Sequence, residues 1–581
     1  MSFGIDFGTS NSVVARWNGL ATEVVPVDGG SVPANWQQPE FGELFPSVLS
    51  VHDLRRTLCF GWTAKTGTSA PLDAVKRMLG TRSSADRAAD GDEEALPHLE
   101  EHRVWLAGEQ FRSTAAAAAL FSRMREGAAG ELLELTEAVV TVPANATGGA
   151  RYRTRAAAAL GGIRVKALIN EPTAAAISYA YDYPIPGRFL VFDWGGGTID
   201  VTVLEYADGL FEEQTSRGIT ALGGLEFDEQ LAKLILRNLG TAPERLSMAQ
   251  RRQWRRHVEL TKIELSHLPP DGYALFETPP SERTGRGANS TKITVEEFTA
   301  EIAPLVDRAL TPVEQALKDL RISTSDIDSV LLIGGTSQIP LVRETLGRVL
   351  GHDRIVDPRL CRPMTAVARG AAIYAASLDG ELNDLSDFSL VSNYDLGTAF
   401  NAGPERGFRS IIRRNATLPA EGTSAFQPST PGAASVHVEI VEGESGYSAD
   451  SDRAFPLAAF DVPLPQPEHD PARNRITIRF RYNESGILRF TATHAITGKV
   501  LAEREVDSFG PDGTPLKEGL EDELTRLLAH TVRPFQGTTE PAPPPPENAA
   551  RQAAGETAVP DRTPVADTSV TVNGEAQYLA P

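Results

Sequence analysis

The sequence predicts an α/β fold over roughly its first 380 residues, then an antiparallel β domain, then a Pro-rich tail. Three observations predict it. Strand-like and helix-like segments alternate from the start to about residue 380. Period-2 alternation then takes over between 395 and about 507. From 534 onward the chain is rich in Pro, Ala, Thr and Glu and poor in aromatics, which predicts disorder.

The elements follow in chain order. VVARW (13–17) reads as a strand, 110–127 as a helix, EAVVTVP (137–143) as a strand and RYRTRAAAALGG (151–162) as a helix. FLVFDW, the helix candidate DEQLAKLILRNL and the strand SVLLIGG come next. AVARGAAIYAAS (366–377) is a small-residue helix that should pack tightly. A linker is assigned to 381–394. In the β domain, SVHVEIV (435–441), ITIRFRY (476–482) and ILRFTAT (487–493) alternate, with NESG (483–486) as a turn. One short helix candidate, LKEGLEDELTRLLAHTV (516–532), falls in a segment bounded at 508–533, before the tail at 534–581.

Bulk properties exclude several classes. A length of 581 residues implies about three or four domains. The net charge of −21 opposes a nucleic-acid or anionic-membrane binder that works by phosphate neutralisation. Two cysteines, Cys59 and Cys361, make neither a disulfide framework nor a zinc site, so a reducing compartment fits. MSFGIDFGTS lacks a basic n-region and an apolar h-region, and no apolar run is long enough to span a bilayer. The expectation is a soluble, cytoplasmic protein.

The chemistry concentrates in two matched turns, IDFGTSNSV (5–13) and FDWGGGTID (192–200). Each begins with a strand that delivers an aspartate, Asp6 or Asp193. Gly8 in the first, and Gly195, Gly196 and Gly197 in the second, let the backbone bend and bring N–H groups to an anion. Thr9, Ser10 and Thr198 add hydroxyl donors. A carboxylate there can hold hydrated Mg²⁺ or orient a water. Either turn alone reads as ordinary loop chemistry. Together, on hairpin starts, they suggest two similar halves sharing one nucleotide. A third turn, VLLIGGTSQIP (330–340), carries Gly334 and Gly335 and could receive base and ribose. No G-x-x-x-x-G-K-[ST] pattern occurs.

These segments, with AVKRMLG (74–80), INEPTAAAISYAYD (169–182), LGGLEFDEQL (222–231) and ELTKIELS (259–266), resemble the 70-kilodalton heat-shock chaperone (DnaK-type) family. RRNATLPAEGTSAF (413–426), VHVEIVEGES and NESGILRFTATHAITGK (483–499) extend the resemblance to about residue 507. It implies an actin-like (ribonuclease H-like) two-lobed ATPase over 1–380, split near 186, and a β-sandwich substrate-binding domain over 395–507. It implies ATP/ADP and Mg²⁺ as ligands, with K⁺ as a further candidate.

Carried over residue by residue, the resemblance makes Lys76 the catalytic lysine, beside Glu171, Asp193 and Asp6. Asp6 and Asp193 would hold the metal through water, with Asp200 a second acid nearby. Gly223, Gly224, Glu259, Lys262, Ser266, Gly334, Gly335 and Gln338 would line the nucleotide site. Pro143 and Arg151 match an interdomain switch, and Phe426, Val436 and Val438 a peptide groove. Read without the resemblance, Lys76 is a solvated helix lysine and Glu171 a first-turn acid. Glu259 and Lys262 are then an exposed ion pair, and the two valines are sheet core.

The sequence departs from the family at several points. Gln338 stands where an adenine-stacking arginine is usual, Met364 replaces a carboxylate, and Ala167 replaces the arginine that meets the J-domain partner. The linker LSDFSL is less apolar, and a helical lid of the family's length is missing, so the groove should release peptide fast. The expected partners are extended apolar segments of unfolded proteins and a nucleotide-exchange factor, with the J-domain contact in doubt, and neither nucleic acid nor membrane. The expected function is an ATP-dependent chaperone-like protein with slow ATPase activity. Two rivals share the fold: an actin-like scaffold or filament protein with little hydrolysis, and a metabolite kinase.

Overall fold

In a computed structural model of the chain, the described residues are 1–529, except 34–38, 53–56, 81–100, 241–247, 279–289, 383–386, 450–453, 507–518 and scattered single or paired positions. The tail expected at 534–581 lies outside them.

The N-terminal region is built on two mixed sheets with one shared plan. In the first, Ser2–Asp6 pairs antiparallel with Asn11–Trp17 and parallel with Glu137–Val142, which pairs in turn with Arg164–Asn170. In the second, Gly187–Trp194 pairs antiparallel with Thr198–Ala207 and parallel with Ser329–Ile333. Each hairpin strand is therefore flanked by a parallel strand reached through a helical crossover. Their inner strands read as near-continuous apolar runs because both faces are covered.

Two helices, Glu171–Asp182 and Ala366–Leu378, lie together between the sheets. Their small residues allow a close crossing: a Cβ added to Gly370 would overlap the Ala174 carbonyl. The tight packing expected of AVARGAAIYAAS is present. The helix expected at 110–127 runs instead over Ser113–Gly130, because Glu109–Arg112 is the second strand of a hairpin with Arg103–Leu106.

The β region consists of two four-stranded antiparallel sheets. Their orders are Glu405–Ile412, Asp395–Ala402, Ser435–Gly443, Ala454–Pro463, and Ala420–Phe426, Ile476–Tyr482, Leu488–His494, Val500–Glu505. Leu396, Val438, Ile440, Ile478, Phe480 and Phe490 fill the space between them. Such a two-sheet core is a β-sandwich.

Two segments make contacts that the sequence reading left open. Within the expected linker, Asp387–Ser389 adds a parallel edge strand to Leu210–Glu212 of the second sheet. The C-terminal helix, Leu520–Leu528, sits on neither β sheet. It packs on the first lobe against the hairpin strand Glu109–Arg112 and the Ser113–Gly130 helix. Leu524 and Leu527 belong to that lobe's core. Both oxygens of Glu523 are held by Arg112, through its backbone N–H at 2.8 Å and Nε at 3.0 Å.

Candidate functional site

The two aspartate turns meet face to face, one from each lobe. A Cβ on Gly196 would overlap Ser10 Oγ, and one on Gly197 would come 2.8 Å from Thr9 Oγ1. A side chain at 196 would force the Ser10 hydroxyl of the opposite turn to move. Protein donors take up the carbonyls of the second turn. Gly224 N and Thr336 Oγ1 donate to Gly195 O at 3.2 and 2.8 Å, Leu225 N donates to Gly196 O at 3.0 Å, and the Arg77 guanidinium donates to Gly197 O at 2.5 Å. Gly195 N–H is taken up by Thr198 O at 3.2 Å, so what the turn offers an anion is the N–H of Gly196 and Gly197. Gly223 and Gly224 act as the start of the Gly224–Leu239 helix that staples the turn in place.

Lys76 lies on a short 3₁₀ turn, Val75–Leu79, and its Nζ pairs with Glu171 Oε1. Their side chains are only 10% and 8% exposed. The solvated-helix alternative for Lys76 is therefore set aside. Glu171 opens the Glu171–Asp182 helix, with Pro172 behind it in the first turn, where a missing N–H costs nothing.

Asp6, Asp193 and Asp200 crowd the same pair. Burial and then the Glu171 charge push the Asp6 carboxyl up to about 7, and the same two causes push Asp200 to about 7. Asp193 is raised well above the carboxylate range by burial and by Glu171, Asp200 and Asp6. Burial alone would lower Lys76, but Glu171, Asp6 and Asp193 outweigh it and hold the ammonium above its ordinary value. One lysine facing four acids leaves an excess of negative charge that a bound cation would relieve.

Of the residues expected at the adenosine, Lys262 comes to the start of the helix beside the second turn. Glu259, Lys262 and Ser266 lie on the Met248–His267 helix. Lys65 of the first lobe reaches Glu259 at 2.7 Å, while Lys262 pairs with Asp228 at 2.8 Å and donates to Gly224 O at 3.1 Å. Ser266 Oγ donates to its own helix at Lys262 O. Gly334 adopts φ +78 beneath the Trp194 carbonyl, a conformation that favours glycine. The Gln338 amide turns back onto Ser337 Oγ at 2.8 Å and Leu332 O at 3.4 Å. Met364 is half-buried against Val13, Ala15 and Ala368, and Ala167 is buried within its strand.

Pro143 follows the strand Glu137–Val142 directly. Asn145 N donates to Asp200 Oδ1 at 3.1 Å, which ties this loop to the acids. Arg151 donates to Ala144 O and Ala146 O at 3.3 Å and to Asn170 Oδ1 at 2.6 Å. Asn170 and Thr173 donate in turn to the buried Glu213 of the second lobe, at 3.0 and 2.9 Å. In the sandwich, Val438 is core, whereas Phe426 and Val436 are half-buried over that core.

Several residues here were not singled out by sequence. Arg77 stands next to Lys76 and pairs with Glu226 of the second lobe at 2.9 Å. Lys65, Asp228, Glu213 and Asn170 carry no local signal, since their partners are far off in sequence. Glu442 does carry one. It continues the inward parity of Val436, Val438 and Ile440, so a carboxylate sits on a core-facing position.

Among the described residues, no helix is long and apolar enough to cross a membrane. A family model described as Hsp70 protein matches residues 2–510. The chaperone protein dnaK of Guillardia theta is 31% identical over 548 residues, covering 90% of this chain and 81% of that protein. The chain belongs to the Hsp70 family, whose members are ATPases that act as ATP-dependent chaperones.

Proposed function

We propose that this chaperone hydrolyses ATP between the two glycine turns and uses the nucleotide state to control peptide binding by the sandwich. The observation that carries the reading is the Lys76–Glu171 pair, buried among Asp6, Asp193 and Asp200 where the two turns converge.

In this reading the N–H groups of Gly196 and Gly197, with the hydroxyls of Thr9, Ser10 and Thr198, bind and orient the phosphates, while Gly195, expected to join them, closes the turn on Thr198 O at 3.2 Å. Lys76 offsets charge at the transferred phosphoryl group and, with Glu171, orients the attacking water. Asp6 and Asp193 hold Mg²⁺ through water. Among the described residues no three such side chains converge on one direct metal position, which suits an aquated ion. Bound by those acids, Mg²⁺ would neutralise phosphate charge, and K⁺ is a further candidate at the same acidic cluster. Glu259, Lys262 and Ser266 face the adenosine, and with Gln338 folded back the adenine lacks a stacked cation.

Phe426, Val436 and Val438 are assigned to a groove for extended apolar peptide, captured by backbone pairing and an apolar pocket. Pro143 and Arg151 relay nucleotide state to it. We retain the division into 1–380, 381–394, 395–507, 508–533 and 534–581, and a reducing cytoplasmic setting for the free thiols Cys59 and Cys361. A nucleotide-exchange factor remains a proposed partner. With Ala167 buried, J-domain contact through that position is not proposed. Family membership disfavours the filament and kinase alternatives.

The test is single-turnover hydrolysis by Lys76→Ala beside an ATP-binding measurement. Hydrolysis should fall about a hundredfold or more while binding persists. Unchanged hydrolysis would remove Lys76 from the mechanism.

A further inference from the structure

The loop 143–147 is gripped from three sides. Asn145 N–H donates to Asp200, an acid of the cluster around Lys76, at 3.1 Å. The carbonyl of the same residue accepts the Tyr394 hydroxyl at 2.8 Å. At the end of the loop, Gly148 N, the first amide of the Gly148–Leu160 helix, donates to Glu442 Oε2 at 2.8 Å.

Tyr394 and Glu442 both move with the sandwich. Tyr394 immediately precedes its first strand, Asp395–Ala402, and its ring stands edge-on to Phe455 with centroids 5.6 Å apart. Glu442 is paired in register with Leu396 on one side and Phe455 on the other, and is 1% exposed. Its Oε2 gives the helix's first amide an acceptor that the helix itself cannot supply. One residue of the ATPase region therefore separates a sandwich hydroxyl from an acid beside Lys76 and Glu171.

We propose that Tyr394 is a positioning residue for hydrolysis: its hydroxyl, seated on Asn145 only while the sandwich is docked, fixes the Asn145–Asp200 hydrogen bond. Glu442 holds the next turn of the same loop. The proposal rests on the coupled-ATPase reading above and names the contact through which docking is felt at the acids. Undocking removes both grips at once and leaves the loop tied to Asp200 and Arg151, both of the ATPase region.

The experiment uses the full chain. Single-turnover hydrolysis is measured with and without an unstructured leucine-rich peptide, together with amide exchange over 143–150. Tyr394→Phe keeps the ring against Phe455 and removes only the hydroxyl. An ordinary hydrogen bond shifts a docking equilibrium about two- to tenfold. The ratio of rates with and without peptide should move toward one by about that factor, with the KM for ATP held within about twofold. Exchange at Asn145 should accelerate. Glu442→Ala should act in the same direction, and Glu442→Gln, which keeps an acceptor for Gly148 N–H, should behave as wild type. If the wild-type rate responds to peptide and Tyr394→Phe responds equally, the Tyr394 assignment is overturned and the coupled reading survives. If the wild-type rate ignores peptide, the coupled reading itself falls.

Discussion

The C-terminal helix gives the most quantitative prediction. Leu520–Leu528 is nine residues long, too short to persist alone in water. It is ordered because Leu520, Leu524 and Leu527 are 2%, 8% and 0% exposed, the last two within the core of the first lobe, and because Arg112 clasps Glu523. Leu527→Ala removes a fully buried side chain, at a cost of about 2–5 kcal/mol. The lower figure alone corresponds to roughly thirtyfold in an opening equilibrium. Amide exchange across 520–528 should therefore accelerate by that factor or more, while the strand Ser2–Asp6 keeps its protection. The cost has a ceiling, since a detached helix has no contacts left to lose. Adding Glu523→Ala to Leu527→Ala should change little once the helix is off. If 520–528 stayed protected in Leu527→Ala, the helix would be held by something other than this leucine face.

Two further predictions concern the paired turns and the docked sandwich. Gly196→Ala should weaken ATP binding about tenfold or more with the melting temperature nearly unchanged, because the new methyl would collide with Ser10 where the two turns meet and not in a core; calorimetric titration with ATP measures it. Stability should also depend on pH. Burial pushes the Glu442 carboxyl from 4.5 to about 7 in the folded protein, against the opposing pull of Gly148 N–H and Arg151. The folded protein thus holds a proton that the unfolded chain releases, so the stability at this carboxyl is greatest below about 4.5 and falls as pH rises through 7. Exchange protection at 145–148, corrected for intrinsic rates, should fall over that window in wild type and stay flat in Glu442→Gln.

What the sequence made legible was local. Asp6 and Asp193 could be read because a strand, an aspartate and glycines are contiguous, and the hairpins form around those turns. The sandwich strands were readable because alternation maps directly onto a half-buried sheet, as in Ile476–Tyr482. The start of the Ser113–Gly130 helix was misjudged because its alanine run has no polar face to mark the boundary. The environment of Lys76 depends on Glu171, 95 positions away, and no spacing rule reaches that far. The same holds for Tyr394 on Asn145, for Asp387–Ser389 on the sheet edge and for the helix Leu520–Leu528 on the first lobe. Each is a tertiary pairing between segments whose own patterns do not name a partner.

The central claim is that ATP hydrolysis and peptide binding are coupled in this chain. The most direct measurement is single-turnover ATP hydrolysis, with and without an extended apolar peptide, run beside peptide release with and without ATP in wild type and Lys76→Ala. Coupling requires a peptide-dependent rate in wild type. Lys76→Ala should show almost no hydrolysis, with ATP-driven peptide release retained. Peptide release that ignores nucleotide in both proteins, alongside an intact ATPase, would contradict the claim.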